Sequence, residues 1–195
     1  MLLGVANTCI LGSAYAFNLS APAVLQGATH LDATNIGFLV SAVSVLGGVS
    51  MVTAGWHSDR RRERHLHVVV SLVILACAFV LMGLSVTPAL VVVGYAAFVI
   101  FSNAIQAVYF LMPSDILRGR AAAGGIAAIG SIGMVGAFLG PYAWGLAKDY
   151  TGDFHAGLFS LAAPHLAAAA IVLVLRSMAR AHDTTAFARL TAAKL

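Results

Sequence analysis

The chain has 195 residues, 61% of them hydrophobic and only 9% charged, and a formal net charge of +4 at pH 7. A water-soluble domain carries about 25% charged residues, so a chain with this composition and a mean hydropathy of +0.94 cannot cover a soluble surface, and disorder or collagen-like repeats are excluded as well. It reads as an integral membrane protein, whose basic excess points to topology and not to a nucleic-acid partner.

A hydrocarbon core about 30 Å thick takes roughly 20 apolar residues per helix. Six segments meet that length, at about 2–25, 34–56, 66–85, 88–112, 121–147 and 155–176, each end being good to roughly 2–4 residues. The expected fold is an all-α membrane protein with six transmembrane helices. Residues 1–180 form the bundle and 181–195 a cytoplasmic C-terminal tail, read as a solvated extension or as a short amphipathic helix on the membrane.

The first span opens with an apolar run that ends in Ala14-Tyr15-Ala16, a sequence like a signal-peptide cleavage site. No positive stretch precedes it, so a retained helix is expected. Asn7, Thr8, Tyr15 and Asn18 fall within an arc of roughly 100° on this helix. Cys9 here and Cys77 on the third span form no CxxC or metal spacing. On the fourth span Ser102, Asn103, Gln106 and Tyr109 fall within about 120°. Lipid cannot hydrogen-bond such stripes, so they face either a water-filled cavity or another helix.

The fifth span carries Gly124, Gly125, Gly130, Gly133, Gly136, Gly140 and Gly145. Gly136 and Gly140 form a GxxxG, suited to close helix approach, and Pro141 marks a bend. On the sixth span His165 sits mid-membrane, expected as a neutral histidine bonded to a neighbouring helix, with proton carriage as the alternative. No Asp, Glu, Lys or Arg lies deep in any span. A charged substrate or a coupled proton therefore needs residues from another polypeptide segment.

Orientation follows from the basic residues. Arg60, Arg61, Arg62, Arg64, Arg118, Arg120, Arg176, Arg180, Arg189 and Lys194 fall on one side, and only Lys148 on the other. The positive-inside rule makes the first side cytoplasmic. Both termini are then cytoplasmic, in a bacterial-type inner (plasma) membrane.

After the second span runs Gly55-Trp56-His57-Ser58-Asp59-Arg60-Arg61-Arg62-Glu63-Arg64-His65-Leu66-His67. Asp59 sits at a helix end among arginines, where it can accept charge-assisted hydrogen bonds or face the positive end of an adjacent helix. Contacts of that kind can hold one conformation and break in another.

This loop resembles the GxxxDRxxxR signature of the major facilitator superfamily. The wording GxHSDRxxERxxH is similar to the second-half copy in the anion:cation symporter branch, which includes tartrate-type transporters. The resemblance extends along almost the whole chain. It includes Tyr15 and Pro22, the run from Gly119 to Ala127, Ser131-Ile132-Gly133, Phe138, Gly140-Pro141, Asp149 and Thr151-Gly152-Asp153-Phe154. Departures are Gly130 and Met134, where members often carry Asn, Ser20 in place of an aromatic, and Arg62 in place of the loop glycine.

The resemblance implies helices seven to twelve, half of a twelve-helix major facilitator fold, with substrate at the midplane between two rocking halves. It implies transport, not enzymatic catalysis, of a small organic anion with protons, and no cofactor or metal. The implied partners are the lipid bilayer and a missing N-terminal six-helix half, on the same or a separate polypeptide. Substrate-cavity candidates are Tyr15, Asn18, Asn103, Gln106, Tyr109 and Ser131, and the conformational-switch motif is Gly55, Asp59, Arg60 and Arg64. Alternatives are a truncated, transport-inactive or regulatory membrane fragment and a homodimer of halves. An intramembrane serine protease using Ser131 and His165 is disfavoured, because Gly130-Ser131-Ile132-Gly133 is not GxSG.

Overall fold

In a bilayer every backbone N–H and C=O must find a partner within the protein, so apolar segments of this length fold as helices. The computed structural model describes residues 1–85, 87–113, 119–152 and 154–192. Within them lie α1 (Leu2–Thr29), α2 (Ala33–Arg61), α3 (Arg64–Leu84), α4 (Pro88–Tyr109), α5 (Arg120–Thr151) and α6 (Phe154–Ala192). All six are long and apolar enough to cross a membrane.

Local chemistry sets the ends. Asp32 caps α2 by accepting the Asn35 N–H at 3.3 Å, as a short polar side chain does at an N-cap. Pro88 opens α4, where its missing N–H costs nothing. Gly152 closes α5 in the left-handed region, φ 69°, where a missing Cβ removes the steric penalty. These caps lie beyond the apolar stretches, so α1, α2 and α5 overrun the expected spans. The backbone of α5 stays helical through Pro141, and α6 continues as helix to Ala192. The tail is thus continuous with the last span up to that residue.

Packing pairs α1 with α5 and α3 with α6, sets α4 against both α2 and α3, and brings α1 onto α6. At the centre Phe17 meets Phe79 at 5.0 Å and Phe98 at 4.7 Å between ring centroids, both edge-to-face. That arrangement suits the ring quadrupoles and joins α1, α3 and α4. His165 of α6 lies 5.3 Å from the Phe79 ring. Burial is uneven: only 17% of the central stretch of α2 or α5 is buried, against 56% for α1 and α3. The core therefore sits between α1, α3, α4 and α6, while α2 and α5 present broad uncovered faces.

Candidate functional site

The polar stripe of α1 divides into two parts. Near the start of the helix, the Asn7 amide donates to the Ile129 carbonyl at 3.0 Å. The Thr8 hydroxyl lies 3.0 Å from the Ile132 carbonyl and 3.1 Å from that of Gly4. Both side chains therefore bond to α5 backbone, and Asn7 borders the cavity as well. Further along α1, Tyr15 and Asn18 are exposed and line a cavity of about 300 Å³.

The opposite wall is the α4 stripe. Ser102, Asn103, Gln106 and Tyr109 all line the cavity, with Tyr95 and Phe98 behind them and Ser44 of α2 at its side. These residues differ in what they have left to offer. The Asn103 amide donates to the Val99 carbonyl at 2.8 Å, which leaves its second N–H and its carbonyl oxygen. Tyr109 is buried and its hydroxyl donates to the Leu3 carbonyl, which makes it wall and helix tie. Tyr15, Asn18 and Gln106 make no side-chain hydrogen bond to a described residue. They are the uncommitted polar groups.

The cavity thus brings together five of the six residues expected there. Ser131 is not among them. It lies on the exposed face of α5, in helical register with Phe138 and Tyr142, opposite the glycines that meet α1. Ser44, Tyr95 and Phe98 line the site without having been foreseen. Ser44 was unreadable because it is a lone hydroxyl bonded to its own helix at the Val40 carbonyl, and the two aromatics looked like ordinary core. None of the lining residues is charged. Among the described residues no three His, Cys, Asp or Glu side chains gather as a metal site.

Ser131 and His165 do not form a nucleophile and base. The His165 Nδ1–H donates to the Leu161 carbonyl at 2.8 Å, and its buried Nε2 has no partner among the described residues. The expected bond to a neighbouring helix is replaced by one to the preceding turn of its own helix.

At the basic end the α2–α3 connection acts as a junction. Arg64 reaches Asp59 at 3.0 Å and the Leu111 carbonyl, just past α4, at 3.0 Å. Gly55 sits where an added Cβ would meet the Ala107 Cβ of α4 at 4.0 Å. Arg60 lies over the Trp56 ring at 5.3 Å. Glu63 binds Arg176 at 3.4 Å and Arg180 at 3.3 Å on α6. Sequence reasoning treated those two arginines only as topology markers, since pairing across 113 and 117 residues leaves no local signal. Arg118, Asp153 and Lys194 lie outside the described residues.

The profile of the Major Facilitator Superfamily matches residues 3–194. A "Quinolone resistance transporter" of Acinetobacter baumannii is 33% identical over 83% of this chain and 37% of its own length. A provisionally named tartrate transporter of Agrobacterium vitis is 33% identical over 87% of this chain and 38% of its own. The inner membrane transport protein RhmT of Escherichia coli K12 is 30% identical over 73% and 34%. The chain spans little more than a third of each of these relatives. A profile match over nearly every residue, six apolar helices and the glycine and arginine motifs all agree: this chain belongs to the Major Facilitator Superfamily.

Proposed function

We propose that this chain is the C-terminal six-helix half of a twelve-helix secondary transporter that carries a small organic anion, of carboxylate or sugar-acid type, together with protons by alternating access. The observation that carries the proposal is the neutral, polar-lined cavity between α1 and α4, where Tyr15, Asn18 and Gln106 offer hydrogen bonds to a hydroxylated solute. The tartrate name of one relative supports the anion class. With no charge on this wall, the carboxylate must be met by side chains outside this chain. The little-buried faces of α2 and α5 suit packing against a second half. The Asp59–Arg64 pair is exposed on its Asp59 side, so it contributes at most about 1 kcal/mol and can break and reform in each cycle. The basic junction faces the cytoplasm on this reading, with the protein in the inner membrane.

The quinolone relative favours a second reading, export of a flat aromatic compound, for which the exposed Tyr15 ring offers a stacking surface. The test uses the native protein purified from its own membrane at its native size and reconstituted in liposomes. Labelled tartrate accumulating under an acid-outside gradient, and released by a protonophore, is the expected result. Fluoroquinolone flux without acid uptake would replace the proposal with the second reading. No flux of either would leave a transport-inactive or regulatory fragment.

A further inference from the structure

α2 presents four distinct sides. Ile36, Val43 and Gly47 are buried against the bundle, while Val45, Val49, Val52 and Trp56 form an exposed stripe on the far side. Ser44 turns one remaining flank to the transport cavity. The other borders a second, separate groove of about 560 Å³ between α2 and α3, with α4 as its floor. This groove exists because α2 and α3 both pack extensively on α4 but scarcely touch each other.

The groove changes character along its length. Ala54, Val70, Phe101 and Ala104 make its body apolar, and His57 and His67 stand at the end next to the α2–α3 junction. The two rings are fixed to each other. His67 Nδ1–H donates to the Glu63 carbonyl at 2.6 Å, so its Nε2 accepts from His57 Nδ1–H at 2.8 Å. Beyond His57, one helical turn further, come the exposed Arg61 at i+4, which continues the groove face, and Arg60 at i+3, whose guanidinium rests over the Trp56 ring beside it. An apolar channel thus ends at two imidazoles, with two arginines of α2 one helical turn beyond them.

We infer that this groove holds one acyl chain of an acidic phospholipid, with the phosphate seated among His57, Arg60 and Arg61. The two ends of the groove match the two ends of such a molecule. A hydrocarbon tail fills the apolar channel and supplies the van der Waals contacts that a void would forgo, and a lipid phosphate gains charge-assisted hydrogen bonds from arginine. Basic pockets between transmembrane helices are suited to acidic headgroups in general. The occupant is committed by charge: a zwitterionic lipid would fill the channel equally well but would bring no net negative charge to the arginines.

The test is to purify the native protein from bilayer discs of mixed phosphatidylglycerol and phosphatidylcholine and to identify the co-purifying lipid by mass spectrometry. Phosphatidylglycerol retained above its share of the disc is expected. Val70→Trp fills the groove from an exposed position and should lose the retained lipid of either kind. Arg60→Gln with Arg61→Gln should keep a bound lipid but lose the preference for phosphatidylglycerol. Helicity and melting of each variant are compared with the parent, so that a folding defect is not read as lost binding. No enrichment in the parent, or full retention by a well-folded Val70→Trp variant, would overturn the inference. So would a preference that survives Val70→Trp and vanishes with salt, since that marks diffuse attraction to the arginines.

Discussion

Arg62 shows how a single residue reports its local geometry. It closes α2 with φ 52° and ψ 30°, in the left-handed region that costs an L-residue roughly 1–2 kcal/mol. The family places a glycine in this loop, and the backbone explains why. Glycine adopts that conformation freely but loses about 0.5–1 kcal/mol through the entropy of its unfolded state. Arg62→Gly should therefore melt at or slightly above the parent temperature in detergent, and Arg62→Val clearly below it; a Gly variant less stable than the parent would contradict the strain argument. His165 gives the complementary case of a buried nitrogen with no partner among the described residues. Leaving such a group unpaired costs about 1–3 kcal/mol. His165→Leu should thus preserve or raise the melting temperature and leave transport by the whole protein intact. Loss of proton-driven uptake alone in that variant would instead give His165 the proton-carrying role.

The contact between α1 and α5 decides the matter at the scale of elements. Gly136 and Gly140 lie so close to α1 that an added Cβ would run into the Thr8 and Gly12 carbonyls, which are backbone and cannot step aside. Gly130 on the same helix has nothing within 4 Å. Leucine at Gly136 or Gly140 should therefore force the helices apart and lower the yield of folded protein. Gly130→Ala should be tolerated when scored in the same expression and melting series. The GxxxG itself was legible in the sequence, because glycine spacing is a local property. Its partner surface was not, since Gly4, Thr8 and Gly12 become one face only when α5 arrives more than 100 residues later. For the same reason the α1 stripe could not be divided in advance. Asn7 and Asn18 are the same residue type in the same arc, and only the position of Ile129 makes one of them a tie between helices. Ser131 lies outside this cavity for the converse reason: the motif places it on α5, but the motif does not say which way α5 is turned.

For the molecule as a whole, the six spans were readable because bilayer thickness and backbone satisfaction dictate them. The pairing of helices was not, because every span is apolar on several sides. What the packed bundle adds is an asymmetry between exposed faces that look alike in composition. Val45 and Val49 on α2 and Val135 and Phe138 on α5 are each more than half exposed, and Val73, Leu166 and Leu173 on α3 and α6 are also open. In the proposed whole transporter these two sets have different surroundings, the first covered by a second half and the second bathed in lipid. A fluorophore placed singly at these positions in the native protein, in bilayers containing brominated lipid, separates them. Labels at positions 73, 166 and 173 should be strongly quenched, and labels at 45, 49, 135 and 138 weakly. Equal quenching of both sets would mean that no second half covers α2 and α5. The cavity wall of Tyr15, Asn18 and Gln106 would then belong to a six-helix protein that cannot enclose its solute.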